Sequence, residues 1–206
     1  MKVSIVKYNA GNVQSVLFAL ERIGVNAIVT DNINELNASD KIIFPGVGEA
    51  SSAMNYLKER KLDAAIVNLK QPVLGICLGM QLMCNYSEEG NTNCLGIFDN
   101  KVKLFSSPFE GGVSASWRTG DVKVPQIGWN TIYDLKTNLY QGIKENEYMY
   151  FVHSYYAELS EYTIAKTNYG IEYSSSLQKN NFYATQFHPE KSSDAGQQLL
   201  ENFIKL

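Results

Sequence analysis

Residues 72–84, Pro-Val-Leu-Gly-Ile-Cys-Leu-Gly-Met-Gln-Leu-Met-Cys, constrain this chain more than any other stretch. The apolar run before Cys77 reads as a short buried strand, and the residues after it read as a helix. Gly75 and Gly79 stand two positions either side of Cys77, where side chains would crowd a sharp strand-to-helix turn. Such an elbow lifts its central thiol out of the backbone and sets it at a helix N-terminus, where unpaired N–H groups favour negative charge on sulfur. The N–H of Leu78 is then the neighbouring donor for an oxyanion formed beside the thiol. A tight turn around a core thiol fits the same five residues, because cysteine is among the most buried residue types. Taken alone, the stretch leaves both readings open.

The stretches before the elbow repeat its strand-to-helix logic. Residues 2–7 favour a strand, Asn9-Ala10-Gly11-Asn12 punctuates, and Val13, Val16, Leu17, Leu20 and Ile23 fall at helical spacing. Asn26 to Thr30 reads as a second strand, and Lys41 to Phe44 as a third, ending at Pro45-Gly46-Val47-Gly48. A helix with Ala50, Ala53, Met54 and Leu57 on one face and a second helical stretch from Leu62 to Leu69 lead to the strand that delivers Cys77. Strands alternating with helices predict an α/β fold: a central, mostly parallel sheet with helices on both faces and function at the strand C-termini.

From about Cys94 the pattern changes to short β-prone runs: Lys101 to Phe105, Gly128 to Tyr133, Tyr148 to Tyr155, Ile171 to Leu177 and Phe182 to Phe187. The second half is predicted to be rich in hairpins. A last helix, Ala195 to Lys205, is expected to pack Leu199, Leu200, Phe203 and Ile204 onto the sheet, with Ser192-Ser193-Asp194 as a capping cluster. The Ser- and Gly-rich residues 106–121 read as a surface loop. With no repeat and no linker, residues 1–206 are read as a single domain.

Composition enters through what it excludes. A net charge of -3 offers no basic surface for nucleic acid or anionic membrane. No window approaches the roughly 18 apolar residues of a membrane helix, and the N-terminal apolar run is too short for a signal peptide. The expected location is the cytoplasm. Cys77, Cys84 and Cys94 are spaced for neither a zinc site nor a disulfide framework, so each is expected to be a free thiol, and no metal is expected.

A thiol nucleophile needs a base, and the chain has only two histidines. His188 ends a predicted strand in Gln186-Phe187-His188-Pro189-Glu190. In an extended segment residues two apart share a side, so Glu190 is placed to orient one imidazole nitrogen while the other faces Cys77. A strand-end turn with a surface His and Glu is the alternative. His153, among aromatic and aliphatic residues with no carboxylate two positions away, is expected to be structural or at an interface. The Pro45 to Gly48 loop reads as a turn, with glycines that let its backbone approach a ligand.

Together, Gly75-Ile76-Cys77-Leu78-Gly79-Met80-Gln81 and His188-Pro189-Glu190 resemble the nucleophile and base motifs of the class I, triad-type glutamine amidotransferases. The resemblance runs along nearly the whole chain. It is nearest to the branch whose glutaminases serve a cyclase of barrel fold in histidine biosynthesis. The features that carry this are Tyr8-Asn9-Ala10-Gly11-Asn12, Pro45-Gly46-Val47-Gly48, Met80 before Gln81, and Val124-Pro125-Gln126-Ile127-Gly128-Trp129-Asn130; Tyr150 to Tyr156 fits as well.

That resemblance implies a flavodoxin-like fold in which Cys77 attacks the side-chain amide of glutamine, with His188 as acid and base and Glu190 as its orienter. The Leu78 N–H and, after a backbone rearrangement, an N–H of Val47 or Gly48 would hold the oxyanion. Gly46, Gln81 and the backbone around Ser154 and Tyr155 would hold glutamine. Asn12, Gln126, Trp129 and Asn130 match positions at or near the surface that meets the cyclase in a heterodimer. It implies no cofactor. The Glu110 to Gly120 stretch, with Trp117 and Arg118, carries no assigned role. Two rival readings stand beside it: a sibling amidotransferase supplying ammonia for anthranilate or pyridoxal phosphate, and a flavodoxin-like binding module with a reactive cysteine and no amidase activity.

Overall fold

The main sheet is built on buried apolar strands joined by helical crossovers. The computed structural model describes residues 1–9, 12–105, 118–119 and 122–206. Most of the expected loop at 106–121, the Ala10-Gly11 pair and most of the Glu110 to Gly120 stretch lie outside them; within that expected loop Arg118–Thr119 is instead a short strand, paired antiparallel with Val122–Lys123. Strands β1 (Val3–Val6), β2 (Ala27–Thr30), β3 (Lys41–Phe44) and β4 (Val73–Ile76) are parallel, in the order β2-β1-β3-β4, and Phe182–Thr185 continues them beside β4 in the same direction. This is the flavodoxin-like order, which places the loops of functional interest at the carboxyl edge. Beyond Phe182–Thr185 the sheet turns antiparallel through Glu172–Lys179 and Tyr155–Ala157 to Lys101–Leu104. A separate hairpin pairs Gln126–Ile132 with Glu147–His153.

Alternation along the strands builds two apolar cores, because successive side chains point to opposite faces and both faces are covered. Val3, Ile5, Ile43 and Leu74 pack with α1 (Val13–Arg22) and, through Leu199, Leu200 and Phe203, with the last helix, Ser193–Lys205. Val6, Ile42, Phe44 and Val73 pack instead with α3 (Ala50–Glu59), α4 (Leu62–Val67) and α5 (Leu78–Met83). Ala50, Ala53, Met54 and Leu57 are all buried, as the spacing predicts.

Several elements differ from the sequence reading. The helix α2 (Ile33–Asn37) was not expected; its start is made by Asn32, whose side chain accepts from the N–H groups of Asn34 and Glu35. The strand Thr163–Asn168 was also missed, its mixed sequence masking a position beside Glu172–Lys179. The expected capping cluster fails at Ser192. That residue holds the N-cap position, but its hydroxyl donates to the His188 carbonyl at 2.6 Å and accepts the Tyr150 N–H at 2.9 Å, so it ties the turn after His188 to the middle of the strand Glu147–His153 instead.

Candidate active site

Backbone strain identifies the elbow. Cys77 has φ 54° and ψ −108°, a conformation an L residue adopts only when the surrounding fold holds it there. Its N–H donates to the Thr185 carbonyl at 2.8 Å, which ties the turn to the neighbouring parallel strand. The flanking glycines are required by close approach. A Cβ on Gly79 would lie 1.9 Å from the Phe44 carbonyl oxygen, and one on Gly75 would meet Met83 Sδ at 2.8 Å and Gly79 backbone at 3.1 Å.

His188 reaches the same place from the end of Phe182–Thr185. It is extended, its N–H donates to the Tyr150 carbonyl at 2.9 Å, and its side chain is 3% exposed. The residues after it do not continue extended: Pro189–Lys191 forms one turn of 3₁₀ helix. Glu190 therefore meets His188 by curling back, with Oε1 2.8 Å from Nδ1, rather than by sharing one side of a strand. Asn12, at the head of α1, donates to the same Oε1 at 3.1 Å.

Burial opposes charge on His188, but the charge of Cys77 and a hydrogen bond to it, then the hydrogen bond and charge of Glu190, outweigh burial and raise its pKa to about 10. His153 is held the other way. Burial, here in a cage of Phe105, Phe151 and Tyr173, pulls its pKa down to about 4, against a hydrogen bond to the Tyr155 carbonyl that raises it. The two histidines face one cavity with opposite charge preferences, and only His188 carries a carboxylate partner. Burial also raises the Cys84 thiol well above its usual value and pushes Cys94 up to about 12.

A cavity of about 310 Å³ brings together Val47, Gly48, Cys77, Leu78, Gln81 and His188 with Ser154 and Tyr155. Sequence reasoning missed Glu89, Pro125, Val152 and Lys191 in its wall, and His153 stands there too. It also missed Gln186. That residue is fully buried, and its Nε2 lies 3.7 Å from Cys77 Sγ; the alternation that joins Gln186 to His188 across Phe187 was the available signal.

At four expected positions the conformation adds a constraint. Gly46 is buried and is not among the lining residues; a Cβ there would lie 2.1 Å from the Tyr8 hydroxyl oxygen and 2.9 Å from Leu78 Cβ, and Tyr8 donates to the Pro45 carbonyl at 2.6 Å. The Leu78 N–H is not free for an oxyanion in this conformation, because it donates to the Gly46 carbonyl at 3.3 Å. The Gln81 amide is not wholly free for a ligand, because its Nε2 donates to the Tyr155 carbonyl and to Gln186 Oε1, each at 3.0 Å. Gln126 is not a surface residue; it is 2% exposed, since strand parity turns it inward and its neighbours Ile127 and Trp129 outward. Trp129 stacks edge-on against Tyr150, and Asn130 donates to the Asn168 carbonyl at 3.0 Å.

Among the described residues no cluster of His, Cys, Asp and Glu could hold a metal ion, and no helix is long and apolar enough to cross a membrane. Comparison with known proteins agrees with the geometry. The chain is 55% identical over 206 residues, covering 100% of both chains, to the protein of Bacteroides fragilis named imidazole glycerol phosphate synthase subunit HisH. It is 42% identical to the protein of that name from Haemophilus influenzae, covering 100% of this chain and 98% of that one. Among solved structures, one titled glutamine amidotransferase superposes with TM-score 0.70 at 17% identity, over 100% of this chain and 98% of the other, a likeness of fold. The family described as Glutamine amidotransferase class-I matches residues 4–206, and the chain belongs to it.

Proposed function

We propose that residues 1–206 act as one unit, the glutaminase subunit of an imidazole glycerol phosphate synthase, in the cytoplasm. The observation that carries this reading is the convergence of a strained Cys77 and a Glu190-oriented His188 on one cavity, in a chain alike along its whole length to proteins of that name.

Cys77 sulfur attacks the side-chain carbonyl carbon of glutamine, giving a tetrahedral intermediate. His188, which its neighbours keep protonated, gives its proton to the departing nitrogen, and the C–N bond breaks to leave a glutamyl thioester and ammonia. His188 then takes a proton from water, whose oxygen attacks the thioester, and glutamate leaves with the thiol restored. Glu190 holds the imidazole in the tautomer that serves both steps. The oxyanion is received by Leu78 N–H together with an N–H of Val47 or Gly48, once the loop turns and the Gly46 carbonyl releases Leu78. Gln81, Ser154 and Tyr155 hold the glutamine.

Ammonia passes to a cyclase subunit of barrel fold in a heterodimer, where it enters the formation of imidazole glycerol phosphate and an aminoimidazole carboxamide ribotide. Trp129 is 52% exposed and Ile127 60% exposed on one face of a strand, which suits that hairpin face to the partner, with Asn12, at the head of α1, and Asn130 as further contacts. The test replaces His188 with Ala and measures ammonia release from glutamine in the presence of the cyclase and its ligand. A loss of about 10³-fold or more is expected; unchanged turnover sinks the proposal.

A further inference from the structure

The Tyr155 carbonyl oxygen stands between two side chains, with His153 Nδ1 at 2.7 Å and Gln81 Nε2 at 3.0 Å. A carbonyl oxygen only accepts, so His153 must carry its proton on Nδ1. The aromatic cage and burial keep the ring neutral, which leaves Nε2 as an acceptor. The Tyr173 hydroxyl, 3.2 Å away, is the group that can donate to it. Tyr173 has one proton, and giving it to His153 leaves its oxygen to be met by a donor from Gln126.

Gln126 lies 2.8 Å from that oxygen through the amide end assigned as Oε1, while its Nε2 is buried with no partner. The two ends of an amide have nearly the same shape. Turning the amide end for end supplies the donor Tyr173 needs and removes the orphaned N–H. Donor direction is then ordered along one path: Gln126 to Tyr173, Tyr173 to His153, His153 to the Tyr155 carbonyl. On the other side of that carbonyl, both hydrogens of Gln81 Nε2 are spent on Tyr155 and Gln186, and Gln186 Nε2 points at Cys77 sulfur. What Gln81 has left to offer the cavity is its oxygen.

We infer that His153 and Tyr173 are positioning residues for the glutamine pocket: as an ordered pair they aim the Tyr155 carbonyl, and through it the Gln81 amide, at the ligand. This rests on the glutaminase reading. It also makes Gln126 part of the pocket's support, not of the partner surface.

The test uses the full chain and 6-diazo-5-oxo-L-norleucine, a glutamine-shaped alkylator; Cys77 forms a thioether to its terminal carbon, the thiol proton moves to that carbon, and N₂ leaves. The concentration for half-saturation and the limiting rate are read separately. His153→Phe should raise half-saturation about tenfold, the loss of one buried hydrogen bond, with the limiting rate within about twofold. His153→Asn, whose amide nitrogen replaces Nδ1 as donor, should recover affinity to within about threefold of wild type.

A histidine that only fills the core would leave half-saturation unmoved in both folded variants, and that result overturns the inference. Should His153→Phe fail to fold, nitrogen-15 histidine spectra decide. The chain has only two histidines. The wild type should show a neutral Nδ1–H ring for His153, and Tyr173→Phe should mix in the other tautomer while weakening half-saturation. An Nε2–H ring in the wild type, or a Tyr173→Phe chain unchanged in both respects, refutes it. If the wild type shows no saturable, Cys77-dependent labelling at all, the glutaminase reading itself fails.

Discussion

The Leu78 N–H donates to the Gly46 carbonyl at 3.3 Å, so the donor nearest Cys77 is occupied by the loop that would supply the second one. One turn of the Gly46–Gly48 backbone would release Leu78 and present a new N–H, and Gly48, at φ 122° with no atom within 4 Å of where a Cβ would stand, has the conformational freedom of glycine for it. The isolated chain should therefore hydrolyse glutamine slowly, and the cyclase with its ligand should accelerate it by about 10² to 10³, the usual worth of an oxyanion donor. Steady-state ammonia release with and without the partner checks this; a free chain as fast as the complex contradicts it.

The glycine at 79 has no room to grow. Its missing Cβ would sit 1.9 Å from the Phe44 carbonyl oxygen, which belongs to β3 and cannot move without the sheet. Gly79→Ala should cost about 3 kcal/mol or more in urea unfolding, if it folds at all. Gly75→Ala should cost less, because its closest neighbour is the flexible end of Met83.

In the proposed mechanism Glu190 acts through orientation, so changing its charge should hurt turnover more than binding. Its Oε1 receives both His188 Nδ1 and Asn12 Nδ2. Glu190→Gln should lower kcat by about 10² to 10⁴ with little change in KM, as loss of the correct tautomer does elsewhere. Asn12→Ala, which removes one of two donors, should cost about threefold to tenfold. Equal losses in the two variants would show that the carboxylate charge is immaterial.

The two histidines predict opposite pH slopes in stability. His153 falls from the usual 6.5 to about 4 on folding, so the unfolded chain binds a proton that the fold refuses. Its penalty starts as pH drops below 6.5 and is complete below 4, at most about 3 kcal/mol for that shift. His188 is raised, so its contribution is full below 6.5 and disappears as pH rises through about 10. Urea unfolding at pH 4.5, 6.5 and 9 should show the acid-side loss shrink in His153→Phe and the alkaline-side loss shrink in His188→Ala. Parallel profiles for all three proteins would refute the assignment.

Local rules determined much of this protein. Strand-to-helix alternation, with apolar runs of four residues, set out β1 to β4 and most of the helices that cover them, and two glycines around one cysteine marked the elbow, because periodicity and turn geometry are written in near neighbours. His188 and Glu190 were legible for the same reason, although the 3₁₀ turn that joins them was not. Tertiary structure alone decided which distant groups complete the site. Asn12 reaches Glu190 across 178 residues and Gln186 reaches Cys77 across 109, contacts for which no local pattern exists. It also decided that Leu78 is occupied and that Gln126 points inward while Ile127 and Trp129 point out. Strand parity fixes only that neighbours face opposite ways; which side is the interior depends on what the rest of the chain packs against it.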